Sequence, residues 1–224
     1  MRRRQRASVA AVAAVDEDTA NAAVKLIQVE YEPLHAYIDP FESLPRHDPP
    51  IHEDHKTGNI SKHVHLSFGE VDAALAGADA VVEGDYFFHG TTHAPIEPHC
   101  AVARYGGDGV LTVWSSTQIT HYVHRTLAHV LGLPAHRIRV IQPCLGGAFG
   151  GKSDPFCLEF VTAKLSMLTG RPVKLLYTRE EVFYTHRGRH PMHMHYRTGA
   201  SRDGRLAAVD AKIVIDGGAY SSFG

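Results

Sequence analysis

The residues most able to do chemistry are eight in a row, Gly146-Gly147-Ala148-Phe149-Gly150-Gly151-Lys152-Ser153. Four glycines in six residues free the backbone to adopt positive φ and to approach a ligand with no Cβ in the way. The β-branched run Ile138-Arg139-Val140-Ile141 ends just before them, and a helix-period segment starts just after. Strand, glycine loop and helix form a layout that aims backbone N–H groups at an anionic or oxo ligand. A turn that only packs needs one or two glycines, not four. Taken literally, Gly146 to Ser153 also fits the phosphate-binding pattern G-x-x-x-x-G-K-[ST]. Ile213-Val214-Ile215-Asp216 would then stand as the acidic strand that holds Mg²⁺. Against that, much of the chain precedes the loop. Too little follows it for parallel strand–helix repeats, at roughly thirty residues per unit.

Histidine is the other abundant ligand type, with 17 in the chain. His89 and His93 are four apart, His121 and His124 three apart, and His63 and His65 alternate on an expected strand. Each spacing could bind a metal, yet several of these histidines sit in strand patterns with no carboxylate or cysteine at ligand spacing nearby. The plainer reading is that they are ordinary strand and surface residues. Cys100, Cys144 and Cys157 are far apart and form no C-x-x-C. A zinc ribbon or an iron–sulfur cluster from this chain alone is therefore not expected, and the odd number and wide spacing suit a reducing compartment. The net charge of -1 exerts no bulk pull on nucleic acid or membrane. No apolar run reaches the length of a membrane span. With 44% hydrophobic and 21% charged residues the 224-residue chain is globular in composition. Its length allows one domain, or one domain plus a piece of another.

These residues need elements to position them. Met1 to Val15 imitates an export signal, a basic start before a short apolar run, but Asp16-Glu17-Asp18 follows at once. The favoured reading is a strand Val9 to Val15, a helix from about Ala20 to Leu26 capped by Asp18 or Thr19, and a strand Ile27 to Tyr31. One such βαβ piece cannot bury both faces, so the chain is expected to open in mid-domain. Pro33 to Asn59, rich in Pro, His and Asp, reads as an extended linker. His63 to Phe68 alternates as a strand does, and Glu70 to Ala76 reads as a short helix. Strands are expected at Ala80 to His89, His99 to Tyr105 and Val110 to Ser115, the last two flanking the hairpin turn Gly106-Gly107-Asp108-Gly109. Ile119, Tyr122, Val123, Leu127, Val130 and Leu131 recur at helical spacing up to Gly132 and Pro134. Asp154-Pro155 opens a mostly apolar helix, Phe156 to Leu168, stopped by Gly170 and Pro172. A strand Val173 to Tyr177, a short helix Arg179 to Tyr184 and a hairpin of His193 to Ala200 with Arg205 to Ile215 complete an α+β chain.

Five segments, in this order, resemble one family. They are Glu97-Pro98-His99-Cys100, Ser116-Thr117-Gln118, the loop Leu145 to Lys152, Thr178-Arg179-Glu180-Glu181 and Gly188-Arg189-His190-Pro191. Together they resemble the large subunit of the molybdenum hydroxylases, the xanthine oxidase family. Val9 to Pro33 looks like the end of that family's α/β-hammerhead domain. The resemblance implies a partial hammerhead domain over 1–44, a linker over 45–62, and the first part of a molybdopterin-binding domain over 63–224. It implies that Gln118 lies beside the molybdenum and donates its amide to an oxo ligand. Phe149 and Gly150, with Gly147, would pass under the metal and turn backbone N–H groups to its oxygen and to the pterin dithiolene. Gln118 and Phe149 would surround the metal without ligating it. Each bond of that kind to a charged group contributes about 1.5–3 kcal/mol. Without the resemblance, Gln118 reads equally well as a residue at a helix N-terminus.

Glu97 and His99 would shape the scaffold of the loop, and Lys152 would be peripheral. Ser153 stands on the substrate side, where xanthine-oxidising members have a glutamate, so purine is a poor substrate guess. Tyr122-Val123-His124, Arg137 to Ile141 and Thr185 to Arg189 look more like 4-hydroxybenzoyl-CoA reductase, which removes a phenolic hydroxyl reductively from an aromatic thioester. Xanthine, aldehyde and carbon monoxide dehydrogenases are the alternative readings. The implied cofactor is molybdenum–molybdopterin in its cytosine dinucleotide form. Iron–sulfur clusters and FAD would sit on partner subunits, the substrate would be a small aromatic or heterocyclic molecule, and the complex would be cytoplasmic. The general-base glutamate is expected downstream of Gly224, so the chain reads as a fragment with no catalytic residue of its own. A phosphate-loop nucleotide-binding protein and a metal-binding or interaction module without catalysis remain open at this point.

Overall fold

The computed structural model describes residues 8–45, 51, 57–185 and 187–218. The basic start Met1 to Arg6 and much of the Pro-rich linker, 46–50 and 52–56, lie outside the described residues. The described residues fall into two compact units, one drawn from Met1–Tyr31 and Thr92–Gly188, the other from Glu32–Thr91 and Arg189–Gly224. The chain is α+β, with both helices and mixed sheets.

In chain order the elements are α1 (Glu17–Val24), α2 (Pro40–Ser43), α3 (Val71–Ala76), β1 (Ala80–Phe88), β2 (Cys100–Tyr105), β3 (Leu111–Ser115) and α4 (Thr120–Leu131). Then come β4 (Ile138–Ile141), α5 (Cys157–Thr169), β5 (Val173–Leu176), α6 (Arg179–Thr185), β6 (Met192–Ala200) and β7 (Leu206–Ile215). The elements expected from residue 70 onward are all present, within a residue or two of their expected ends.

Three expected strands are not. Val9 to Val15, Ile27 to Tyr31 and His63 to Phe68 have no ladder partner among the described residues. Alternation describes which side chains could be buried. A strand also needs a neighbour to take up its N–H and C=O groups, and here the apolar residues stay in solvent, with Val15 85% and Phe68 83% exposed. The first helix also begins earlier than expected. Asp16, not Asp18 or Thr19, caps it by accepting the Thr19 N–H at 2.7 Å. The segment read as a linker holds one helical turn, α2, capped by Asp39.

The first unit is a four-stranded sheet, β4-β3-β2-β5, with α4 and α5 against one face. β2 is antiparallel to β3 and β5, whereas β4 is parallel to β3. The buried residues of β3 alternate, Leu111, Val113 and Ser115, as a sheet with one covered face requires. Leu111 and Val113 meet Ala103, Val123, Leu127, Ile138 and Ala163 in one core cluster. Gly132 and Gly170 end the two helices at φ 65°, the left-handed cap that an ordinary side chain would strain.

The second unit is the antiparallel sheet β1-β6-β7. Ala80 pairs with Ala200 and Phe88 with Met192. α3 packs on this sheet through Leu75, which approaches Gly199 so closely that a Cβ there would lie 3.1 Å from the Leu75 Cδ2.

Glu159 in the first turn of α5 is buried. It accepts the Phe156 N–H at 2.9 Å and the Ser115 hydroxyl at 2.8 Å. Burial pushes its carboxyl up to about 7, against the opposing pull of those donors. Because the folded value is the higher one, its contribution is complete below the ordinary carboxylate value and is lost as pH rises toward 7. We expect stability to fall by about 3 kcal/mol across that window. Urea unfolding of Glu159→Gln should show a flatter profile than wild type. An identical slope in both proteins would remove Glu159 as the cause.

Candidate functional site

Topology converges several segments on one end of the four-stranded sheet. β3 and β4 are parallel, so the residues after each lie at the same end: Gln118 after β3, the glycine loop after β4. β2 runs the other way, which brings the residues before it, Glu97 and His99, to that end too. β5 delivers Tyr177 there, and its N–H donates to the His99 carbonyl at 2.9 Å. The outside of the carboxyl ends of parallel strands is where open α/β sheets place ligands.

Gln118 and the loop are pinned to each other. The Gln118 backbone N–H donates to the Lys152 carbonyl at 2.9 Å, and its side-chain Oε1 accepts the Lys152 N–H at 3.2 Å and the Ser153 hydroxyl at 3.4 Å. A backbone N–H can only donate, so the amide orientation is determined: oxygen toward Lys152, NH₂ away from it. That NH₂ makes no hydrogen bond among the described residues, and Gln118 is exposed.

The loop is strained where it is most exposed. Phe149 sits at φ 57° and is 74% exposed. A bulky residue in the left-handed region carries about 1–3 kcal/mol of strain and is held there by its surroundings. Gly147 at φ 96° and Gly150 at φ 90° bracket it, and a Cβ on Gly147 would meet the Phe149 ring at 3.2 Å. Among the described residues the N–H groups of Gly147, Ala148, Phe149 and Gly150 donate to nothing. On this largely exposed loop the four adjacent donors are open to water or to an acceptor from outside the chain.

The surroundings that hold the loop are Glu97 and Lys152. The Lys152 Nζ donates to the Glu97 Oε2 at 2.6 Å, with the lysine side chain 0% and the glutamate side chain 33% exposed. The same carboxylate oxygen accepts the Gly146 N–H at 3.0 Å. Burial pushes the Glu97 carboxyl up, but the Lys152 ammonium and the Gly146 N–H together hold it below the ordinary carboxylate range. His99 places its Nε2 3.4 Å from the Gly151 carbonyl. Arg179 clasps the preceding segment, donating to the Pro95 and Ile96 carbonyls at 2.7 and 2.9 Å. Ser153 is followed by Asp154, which is tied to Arg187 at 2.7 Å.

The sequence-expected residues Gln118, Gly147, Phe149, Gly150 and Ser153 thus come together, and Glu97 and His99 do shape the scaffold. Lys152 is not peripheral. It is the buried counter-ion on which the loop is built, a role hidden in the sequence because its partner lies 55 residues away. The role of Arg179 is hidden for the same reason. The phosphate-loop reading does not fit. Its lysine would have to reach phosphates from an open loop, and Lys152 is wholly buried in an ion pair. The helix after the loop starts only at Cys157, so its N-terminus does not abut Gly151 and Lys152. Among the described residues no group of three His, Cys, Asp or Glu side chains could hold a metal ion directly, and no helix is long and apolar enough to cross a membrane.

Residues 51–224 match the model of the molybdopterin cofactor-binding domain. The chain is 42% identical over 222 residues to the nicotinate dehydrogenase large molybdopterin subunit of Eubacterium barkeri, covering 99% of this chain and 51% of that protein. It is 35% identical over 217 residues to the xanthine dehydrogenase molybdenum-binding subunit of Escherichia coli O157:H7, covering 97% of this chain and 28% of that one. Among solved structures, quinoline 2-oxidoreductase from Pseudomonas putida 86 superposes with a TM-score of 0.83 at 30% identity, over 92% of this chain and 26% of that chain. The chain therefore spans about half the length of the nicotinate relative and under a third of the xanthine one. With open loop donors, an uncommitted Gln118 amide and these matches, the chain belongs to the molybdopterin cofactor-binding large subunits of the xanthine oxidase family.

Proposed function

We propose that this chain forms one wall of the molybdopterin site in a molybdenum hydroxylase-type oxidoreductase. The observation that carries the reading is the pairing of the oriented, unpartnered Gln118 amide with four open N–H groups of the glycine loop. That donor set fits a cofactor rich in oxo, thiolate and phosphate acceptors. Gln118 would donate its NH₂ to an oxo oxygen of the metal. Gly147, Phe149 and Gly150 would hold the metal's oxygen and the pterin dithiolene through their N–H groups. When bound, the cofactor supplies exchange of oxygen and a hydride equivalent with a substrate carbon. The chain's own share is preorganisation: donors fixed in advance by the Glu97–Lys152 pair and by Gln118 need no reorganisation during the reaction. Ser153, hydrogen-bonded to Gln118, stands on the substrate side.

The finer assignments rest on the family resemblance. They are a hammerhead end over 1–44, a linker over 45–62, the start of the cofactor domain over 63–224, and a general-base glutamate supplied from beyond this segment. They extend to a cytosine dinucleotide cofactor, iron–sulfur and FAD subunits as partners, and a cytoplasmic complex. For the substrate we infer an aromatic or heterocyclic molecule, a class supported by the nicotinate and quinoline relatives. Reductive dehydroxylation of an aromatic thioester is the alternative direction, and product analysis of the assembled enzyme distinguishes the two.

The test is metal and pterin content. Produced together with the remaining subunits in a host that makes molybdopterin, the complex should contain molybdenum and release a fluorescent pterin on oxidation. Gln118→Ala should lower that content or the turnover rate by at least about tenfold. The 224-residue chain alone should show no turnover with an artificial electron carrier. A complex free of pterin, or a chain active by itself, would overturn the reading.

A further inference from the structure

Three consecutive hydroxyl residues, Ser115, Ser116 and Thr117, lead into Gln118, and all three are buried. Each is tied to a different part of the first unit. The Ser115 hydroxyl donates to Glu159 in α5 at 2.8 Å. Ser116 exchanges two bonds with Cys100 of β2: its N–H donates to the Cys100 carbonyl and its Oγ accepts the Cys100 N–H, both at 2.9 Å. Thr117 reaches the glycine loop. Its Oγ1 lies 3.3 Å from the Lys152 carbonyl oxygen and 3.1 Å from the Ile119 nitrogen. A backbone N–H only donates and a carbonyl only accepts, so the hydroxyl proton points to the Lys152 carbonyl.

We propose that Thr117 is the positioning residue for the Gln118 amide, a role that rests on the reading of Gln118 as a donor to the cofactor. Its one hydroxyl holds the loop on one side of Gln118 and the entry to α4 on the other. The Lys152 carbonyl already accepts the Gln118 N–H at 2.9 Å, and Thr117 fills its second lone pair. Lys152 then presents its own N–H to the Gln118 Oε1 at 3.2 Å. The glutamine side chain alone holds that orientation poorly. It is exposed, it gives up much rotamer freedom when fixed, and its bonds of 3.2 and 3.4 Å lie at or beyond the long end of the usual range. A threonine beside a helix entry commonly accepts the N–H two residues on. The contact with Lys152, 35 residues away, is one that a local turn does not require.

Two comparisons isolate the hydroxyl. Thr117→Val keeps the shape of threonine without it, and Thr117→Ser and Thr117→Ala differ from each other only in having it or lacking it. Hydrogen–deuterium exchange of the assembled complex, resolved to single amides, reads the geometry independently of activity. The Gln118 and Lys152 amides should exchange at least about tenfold faster in Thr117→Val and Thr117→Ala than in wild type, and Thr117→Ser should stay near wild type. Pterin content reads the consequence. It should fall in Thr117→Val, recover in Thr117→Ser, and fall no further when Thr117→Val is added to Gln118→Ala, because Thr117 acts through Gln118. Unchanged exchange in the variants without the hydroxyl overturns the proposal. So does a serine variant as impaired as the alanine one, or an additive loss on top of Gln118→Ala. A wild-type complex free of pterin overturns the cofactor reading of Gln118 instead, and the exchange comparison still decides whether Thr117 holds it. Where Thr117→Val fails to assemble, the serine and alanine pair decides.

Discussion

Glu97→Ala is expected to lower folding stability by about 3–5 kcal/mol, the loss that follows when one partner of a buried ion pair is removed. The lysine is the reason. Its side chain is fully buried, so without the carboxylate its ammonium is left unpaired and out of water. The Gly146 N–H loses its acceptor in the same step. The reverse change should be milder. Lys152→Met fills a similar volume and removes the buried charge, and Glu97, a third exposed, keeps access to water and the Gly146 N–H. The expected order is wild type, then Lys152→Met, then Glu97→Ala, read from chemical unfolding at neutral pH. A loss for Glu97→Ala below about 1 kcal/mol, the size seen for exposed pairs, would mean that the pair does not hold the loop.

Phe149 should separate stability from function. Its φ of 57° strains the chain, and glycine bears that conformation without penalty. Phe149→Gly is therefore expected to stabilise the chain by about 1 kcal/mol. Phe149→Asp should leave stability near wild type, because aspartate visits the left-handed region more readily than phenylalanine does. In the assembled enzyme the order reverses. Phe149→Asp sets a negative charge beside an anionic cofactor and is expected to abolish activity, with loss of bound molybdenum. An unchanged rate would remove the loop from the site. Phe149→Gly that fails to stabilise would show that the strain is relieved by contacts the free chain makes elsewhere.

The features legible in the amino-acid sequence are those whose cause is local. Gly106-Gly107-Asp108-Gly109 makes a hairpin turn because its own residues permit the required backbone angles. The apolar spacing of α4 and α5 and their terminal Gly132 and Gly170 mark both helices to within a residue or two. Four glycines in six residues mark a loop whose backbone takes positive φ, as it does at Gly147 and Gly150. Where the cause lies in a distant partner, the local pattern is silent or misleading. Ile27 to Tyr31 and His63 to Phe68 carry strand alternation, yet no neighbouring strand among the described residues takes up their backbone groups.

Lys152 reads as a phosphate ligand or a bystander until folding sets it against its partner, 55 residues earlier, and buries it. Nothing in Ser116-Thr117-Gln118 states that β3 and β4 are parallel neighbours, and that pairing is what sets Gln118 against the loop. Sequence by itself determined the elements from residue 70 onward and the turns, because propensity and periodicity act over a few residues, while the resemblance to the family rested on its motifs. Only the tertiary structure decided the register of the strands, the burial of Lys152 and the direction of the Gln118 amide. Those depend on hydrogen-bond and charge partners that folding alone brings within reach.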